Sequence, residues 1–146
     1  MAQEERDGLP TPRLLSLAYN ASSYAIYRRL VDAGIVDTRP SHGNVMEHLA
    51  FEDGLRLNDL ARKAGITPQS MGQFVDELEE LGYVERRPDP DDRRAKRVYL
   101  TSKGKRSNRI EWNVVKEVES ALEELLGSRR LRELRKSLSQ VIDKLD

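Results

Sequence analysis

The chain contains no cysteine, so disulfides, thiolate catalysis, cysteine-ligated zinc and thiol redox sensing are excluded from the start. Aromatic residues are scarce at 5%, and hydrophobic residues reach only 38% against 34% charged. That is the balance of a helix-rich protein with much exposed charged surface rather than of a β-sandwich. Nowhere do 18 apolar residues run together, and the first twelve residues are acidic and proline-containing with no apolar segment. Neither a membrane span nor a secretion signal is therefore expected, and the expected compartment is the cytoplasm. A net charge is lacking too, with 25 basic and 25 acidic side chains, so the total gives no argument for nucleic acid or an anionic membrane as partner. Phosphate-binding loops, a His-Glu-x-x-His pair and dinucleotide-binding glycines are all missing. The two histidines, His42 and His48, are six residues apart, on opposite faces of a helix, and have no Ser/Asp or Cys partner in catalytic order. No metal, no cofactor and no enzymatic activity are expected.

What is present is an uneven distribution of charge over 146 residues, a length that fits one domain with a sizeable core. Residues 56–110 carry thirteen basic against nine acidic side chains, while both flanking segments lean acidic. The surplus is concentrated between residues 86 and 106, where Arg86, Arg87, Arg93, Arg94, Lys96, Arg97, Lys103, Lys105 and Arg106 face only Asp89, Asp91 and Asp92.

Residues 1–12 read as a flexible tail. Apolar residues at three- and four-residue spacing, including Leu14, Leu17, Ala21, Tyr24 and Val31, predict a first helix over Arg13–Gly34. Pro40 and Ser41 open a short second helix with Val45, Leu49 and Ala50 on one face. Asn58 is the expected N-cap of a third helix carrying Leu60, Ala61 and Ala64 and ended by Gly65. Thr67 then caps a fourth, with Pro68 at its first position and Met71, Val75, Leu78 and Leu81 as its buried stripe. Two helices joined by a tight glycine-containing turn make a helix-turn-helix. Tyr83–Arg87 and Arg97–Thr101 predict the strands of a β-hairpin with a long charged tip. A long helix follows from Ser102 to the break at Gly127, and a last helix places Leu131, Leu134, Leu138, Val141 and Leu145 at alternating spacings of three and four. The central unit pairs its own apolar faces, so the surplus stripes of the end helices argue for a homodimer through Leu14, Leu17 and the Leu131–Leu145 seam.

A helix-turn-helix followed by a basic hairpin is the winged-helix arrangement, in which the second helix enters the major groove and the hairpin reaches the backbone or minor groove. Arg94 at the tip suits a narrow minor groove, Asp92 is placed to orient its guanidinium, and Arg93, Lys96 and Arg97 add phosphate contacts. The fourth helix itself holds no Lys or Arg but four acids, Asp76, Glu77, Glu79 and Glu80. Phosphate neutralisation is therefore expected from Arg56, Arg62, Lys63, Arg86, Arg87 and the hairpin. Gln69 and Gln73, one turn apart, have the chemistry to pair with adenine edges.

The run Asp89–Gly104, with Asp92, Arg94, Leu100, Thr101 and Gly104 in register, resembles the wing signature of the MarR family of bacterial regulators. Asp59-Leu60-Ala61 with Gly65, and Val75-Asp76-Glu77-Leu78-Glu79 with Gly82-Tyr83-Val84, resemble that family's helix-turn-helix. The resemblance covers residues 13–146. It implies a mainly α fold with a small β-hairpin: a winged helix-turn-helix over residues 38–107, flanked by a helical dimerisation region formed by residues 13–37 and 108–146. It also implies a homodimeric transcriptional repressor of a pseudo-palindromic double-stranded DNA operator, with base contacts at Thr67, Gln69, Ser70 and Gln73. A small aromatic or phenolic effector is implied between the dimer helices and the DNA-binding lobe, with Tyr24, Tyr27, Arg28, His42, Met46 and Trp112 as the candidate pocket residues. Pro68, Gly72 and Gln73 stand where the family more often has Arg, Lys, Ser or Thr. A winged-helix protein-interaction module without sequence-specific DNA binding is the alternative that this departure leaves open.

Overall fold

The computed structural model describes residues 5, 6 and 8–145. Of the expected tail, residues 1–4 and 7 lie outside the described residues, and Thr11 and Pro12 prove to be helical. Helix α1 spans Thr11–Asp32 because Pro10 stands extended just before it and Pro12 occupies the first turn, where no backbone N–H is required. A 3-10 turn over Pro40–His42 leads into α2 (Gly43–Phe51), then β1 (Leu55–Arg56), α3 (Leu57–Ala64) and α4 (Pro68–Glu80). The hairpin is β2 (Val84–Pro88) and β3 (Lys96–Leu100), followed by α5 (Ser102–Leu126) and α6 (Ser128–Leu145). The molecule is thus mostly helical with a small antiparallel sheet in the order β1-β3-β2.

Two local expectations are corrected. Asn58 is not a cap, because β1 runs straight into α3, Leu57 is already helical, and Arg56 takes the cap position without a side-chain bond. The short strand β1 adds a third strand to the hairpin, pairing Leu55 with Val98 and Arg56 with Arg97. Gly54 makes that possible: its φ of +78° suits glycine, and a Cβ there would stand 2.6 Å from the Tyr99 ring. Thr67 does cap α4, its hydroxyl accepting the backbone N–H of Ser70 at 3.1 Å.

The core lies where α2, α3 and α4 meet the sheet, and Val45, Leu49, Leu60, Met71, Val75, Leu78 and Val84 are almost completely buried. Val98 and Leu100 close it from β3, which pairs with β2 from Val84↔Leu100 to Pro88↔Lys96. The join between wing and α5 explains the Leu-Thr and Gly of the sequence. Thr101 donates its hydroxyl to the Gly82 carbonyl at 2.6 Å and accepts the Gly104 N–H at 3.1 Å. Gly104 itself is pressed so closely on the sheet that a Cβ would lie 2.1 Å from the Tyr83 carbonyl oxygen.

The end helices are different. None of the residues of α1 is buried, and α6 buries only Leu131 where it folds back along α5. Leu14, Leu134 and Val141 remain more than a third exposed, and Ile142 and Leu145 more so. Among the described residues no helix is long and apolar enough to cross a membrane.

Candidate nucleic-acid interface

Helix α4 presents Thr67 and Gln69 exposed at its start, with Gln73 exposed one turn later. The Thr67 and Ser70 hydroxyls hydrogen-bond each other at 3.0 Å, and the Gln73 amide donates to Glu77 at 3.3 Å. Gln69 has no side-chain partner among the described residues.

Three of the four acids of α4 are neutralised from within the protein. Arg86 reaches from β2 to both Asp76, at 2.6 Å, and Glu79. Glu77 accepts the Arg39 guanidinium through both oxygens, and His42 donates to it from Nε2 at 2.8 Å. The Arg39 backbone N–H donates to the other His42 ring nitrogen at 3.2 Å, which fixes the neutral tautomer that carries its proton on Nε2. The Arg39 guanidinium first, and His42 second, hold the Glu77 carboxyl down to a pKa of about 2. Three of the four acids on α4 are therefore paired, and the absence of basic residues on this helix does not leave it strongly anionic.

The base of the wing is organised by Asp89, whose side chain is fully buried. Its Oδ2 accepts Arg56 at 2.6 Å and Arg97 at 2.9 Å, while Oδ1 accepts the Asp91 backbone N–H at 2.9 Å. These bonds, led by the one from Arg56, hold the carboxyl far below the usual range for aspartate. Arg97 also reaches the Gly54 carbonyl at 3.2 Å. Arg87 stacks on Tyr99 at 4.7 Å and pairs with Glu85. At the tip, Asp92 does not orient the Arg94 guanidinium: its Oδ1 accepts the Arg94 backbone N–H at 3.0 Å and so shapes the turn. The side chains of Arg93, Arg94 and Lys96 are exposed and have no ion-pair partner among the described residues.

Six of the basic residues named from sequence thus separate into two groups. Arg56, Arg86 and Arg97 brace the domain, whereas Arg93, Arg94 and Lys96 face solvent at the wing. Arg62 and Lys63 sit on α3 in exposed pairs with Asp59 at 2.8 Å and Glu52 at 3.3 Å, contacts that contribute little and exchange readily.

Behind the core, a cavity of about 260 Å³ opens between α1, the Pro40–His42 turn, α2 and α5, and includes Tyr27, His42, Met46, Glu47 and Glu111 in its wall. Glu47 and Glu111 also line a neighbouring cavity of about 850 Å³ with Phe51, Asn108 and Trp112. Of the pocket residues named from sequence, Tyr27, His42 and Met46 share the first cavity and Trp112 the second. Tyr24 and Arg28 line neither. Glu111 was the missed residue. It lies on the inner face of α5 between the buried Ser107 and Val114, a carboxyl at a position whose spacing points inward, and that spacing was a usable signal. Burial, with Glu47 opposite, pushes its pKa up to about 7.

Residues 36–95 match the MarR family by sequence. In overall structure the chain is similar to a MarR transcriptional regulator from Methanosarcina mazei Go1, with a TM-score of 0.79 at 25% identity over 90% of this chain and 93% of the other. A MarR-family transcriptional regulator from Rhodococcus sp. RHA1 is 26% identical over 97% and 96% of the two chains, with a TM-score of 0.73. The PcaV transcriptional regulator from Streptomyces coelicolor, determined in complex with its natural ligand, shares the fold at 18% identity and a TM-score of 0.76, covering 93% and 94%.

Proposed function

We propose, from a winged helix-turn-helix whose residues 36–95 match the MarR family, that this chain is a homodimeric, cytoplasmic repressor of that family whose work is binding rather than catalysis. Its partners in this proposal are a pseudo-palindromic duplex DNA and a small-molecule effector that releases it. One observation carries the DNA-binding part: Arg93, Arg94 and Lys96, without an ion-pair partner among the described residues, project from a wing whose base is pinned by Asp89, beside a recognition helix three of whose four acids are already paired. Gln69, Thr67, Ser70 and Gln73 read bases from the start of α4, and Arg62, Lys63 and the wing cations hold phosphates. Arg86 and Arg97 act as struts for those elements, because their guanidinium groups are engaged with carboxylates.

Residues 38–107 form the DNA-binding region, and residues 13–37 and 108–146 the dimerisation region. The occupant of the apolar stripe on α1 and α6 is a second copy of the chain, which would cover the exposed Leu14, Leu134, Val141 and Leu145 and the half-buried Leu17 and Leu138, whereas Leu131, expected in the same seam, is already buried within the chain. The effector acts through the first cavity. Arg39 and His42 stand in its wall and grip Glu77 on α4, so an occupant that displaces them shifts the recognition helix, and binding of effector and DNA become mutually unfavourable.

Titration of Arg94→Ala against duplexes of different flanking composition tests the interface. The variant should lose affinity by roughly 1–3 kcal/mol, lose discrimination between A·T-rich and G·C-rich flanks, and keep the wild-type melting temperature. An equal loss on both flanks would reduce the wing to a phosphate clamp, and no loss would remove it from the interface.

A further inference from the structure

The charged groups of the cavity under α1 that have no ion-pair partner among the described residues are both carboxylates, Glu47 and Glu111. Glu111 projects from α5 into a site shared by both cavities and makes no hydrogen bond or ion pair among the described residues. Asn108, one turn earlier and in the wall of the outer cavity alone, donates its amide to the Met46 carbonyl at 3.4 Å, and its Oδ1 is fully buried with no hydrogen-bond partner among the described residues. Glu47 faces the same space from α2. The other charged groups around Glu111 offer it no compensation. Arg39 and His42, from the turn before α2, are both held by Glu77. Lys105 and Arg109, from α5 itself, are exposed residues that border only the outer cavity. Helix α1 contributes hydroxyls, from Tyr19, Ser22, Ser23 and Tyr27, and no charge.

A carboxylate-bearing ligand would bring a third anion beside two acids and find no uncommitted cation in the inner cavity. A donor of positive charge would meet two carboxylates. We infer that the effector site is built for a small hydrophobic cation, an amine or amidine whose N–H groups bond Glu111 and Glu47 while its apolar body lies along Ile26, Tyr27 and Met46. This assigns the ligand class of the effector site proposed above and rests on that proposal for its consequence at DNA, but not for the binding itself. The elevated pKa of Glu111 agrees with it, since a bound cation is what would bring that carboxyl back to its ionised form.

Three probes of one shape and different charge test the inference: benzamidinium, benzamide and benzoate. Each is titrated into the full chain and followed by calorimetry and by the fluorescence of Trp112, the single tryptophan, which borders the outer cavity. At pH 8 benzamidinium should bind at least tenfold more tightly than benzamide, and benzoate should not bind measurably. Its affinity should fall about tenfold at pH 5.5, where Glu111 is protonated. Glu111→Gln should weaken benzamidinium at least tenfold without changing benzamide, and Glu47→Gln, at the rim, should give a smaller loss in the same direction. Tighter binding of benzoate, no binding of any probe, or benzamidinium affinity indifferent to both substitutions and to pH would overturn the inference. The two proposals fail separately. Glu111-dependent benzamidinium binding by a protein without affinity for duplex DNA leaves the ligand class standing and defeats the DNA-binding function. Sound DNA binding with a Glu111-independent response does the reverse.

Discussion

Replacing Glu111 by glutamine should stabilise the protein, and by more at high pH than at low. In the unfolded chain this carboxyl ionises near 4.5, whereas in the folded protein it ionises at about 7. The folded state therefore holds the proton more tightly, and stability falls as pH rises from 4.5, levelling off once pH has passed 7. Glutamine imitates the neutral acid at every pH and removes that dependence. The gap between the two ionisation points corresponds to about 3 kcal/mol at pH 8 and about 1 kcal/mol at pH 5. For a chain of this length the pH 8 gain raises the melting temperature by roughly 6–12 °C. Urea unfolding of wild type and Glu111→Gln at both pH values, at one fixed protein concentration, measures the difference. An equal gain at pH 5 and pH 8, or a loss at pH 8, would show that the carboxyl is not held in the unpartnered surroundings described above.

Gly104→Ala should destabilise the protein by about 3 kcal/mol, because a methyl group cannot fit against the Tyr83 carbonyl without parting α5 from the sheet; a near-neutral result in thermal melts would refute that packing. Leu138→Asp with Val141→Asp should yield monomers by sedimentation, with DNA affinity reduced to that of one half-site. A double variant that stays dimeric would take the α6 seam out of the interface. Asp89→Ala should lower both melting temperature and DNA affinity although it removes a negative charge beside DNA, since Arg56 and Arg97 lose their common anchor. Asp91→Ala, at a largely exposed position, is its control and should not weaken binding.

The elements that the sequence made legible are those with a strong local signal. Thr67-Pro68 marked the start of α4, the Met71–Val75–Leu78 stripe its buried face, and Gly127 the break between α5 and α6. Strand β1 was not legible, because two residues carry no periodicity and its existence depends on Tyr99 closing over Gly54. At the candidate site the residue types were readable but their partners were not. Arg86 and Arg94 look alike as members of one basic run, and only the approach of Asp76 and Glu79, ten and seven residues away on another element, separates a strut from a free cation. Arg39 and Glu77 are 38 residues apart and meet through the packing of the 3-10 turn on α4. Asp89 looked like one more acid in a charged loop until β3 brought Arg97 beside it.

Selection of bound sequences from a random pool of duplex DNA is the measurement that tests the central claim, a dimer that reads two related half-sites with paired α4 helices. An enriched inverted repeat is predicted, with half-site centres about 10 base pairs apart and A·T-rich flanks where the two wings reach the minor groove. Enrichment of a single unrepeated element, or a pool that remains random at salt concentrations where duplex is still bound, would contradict it.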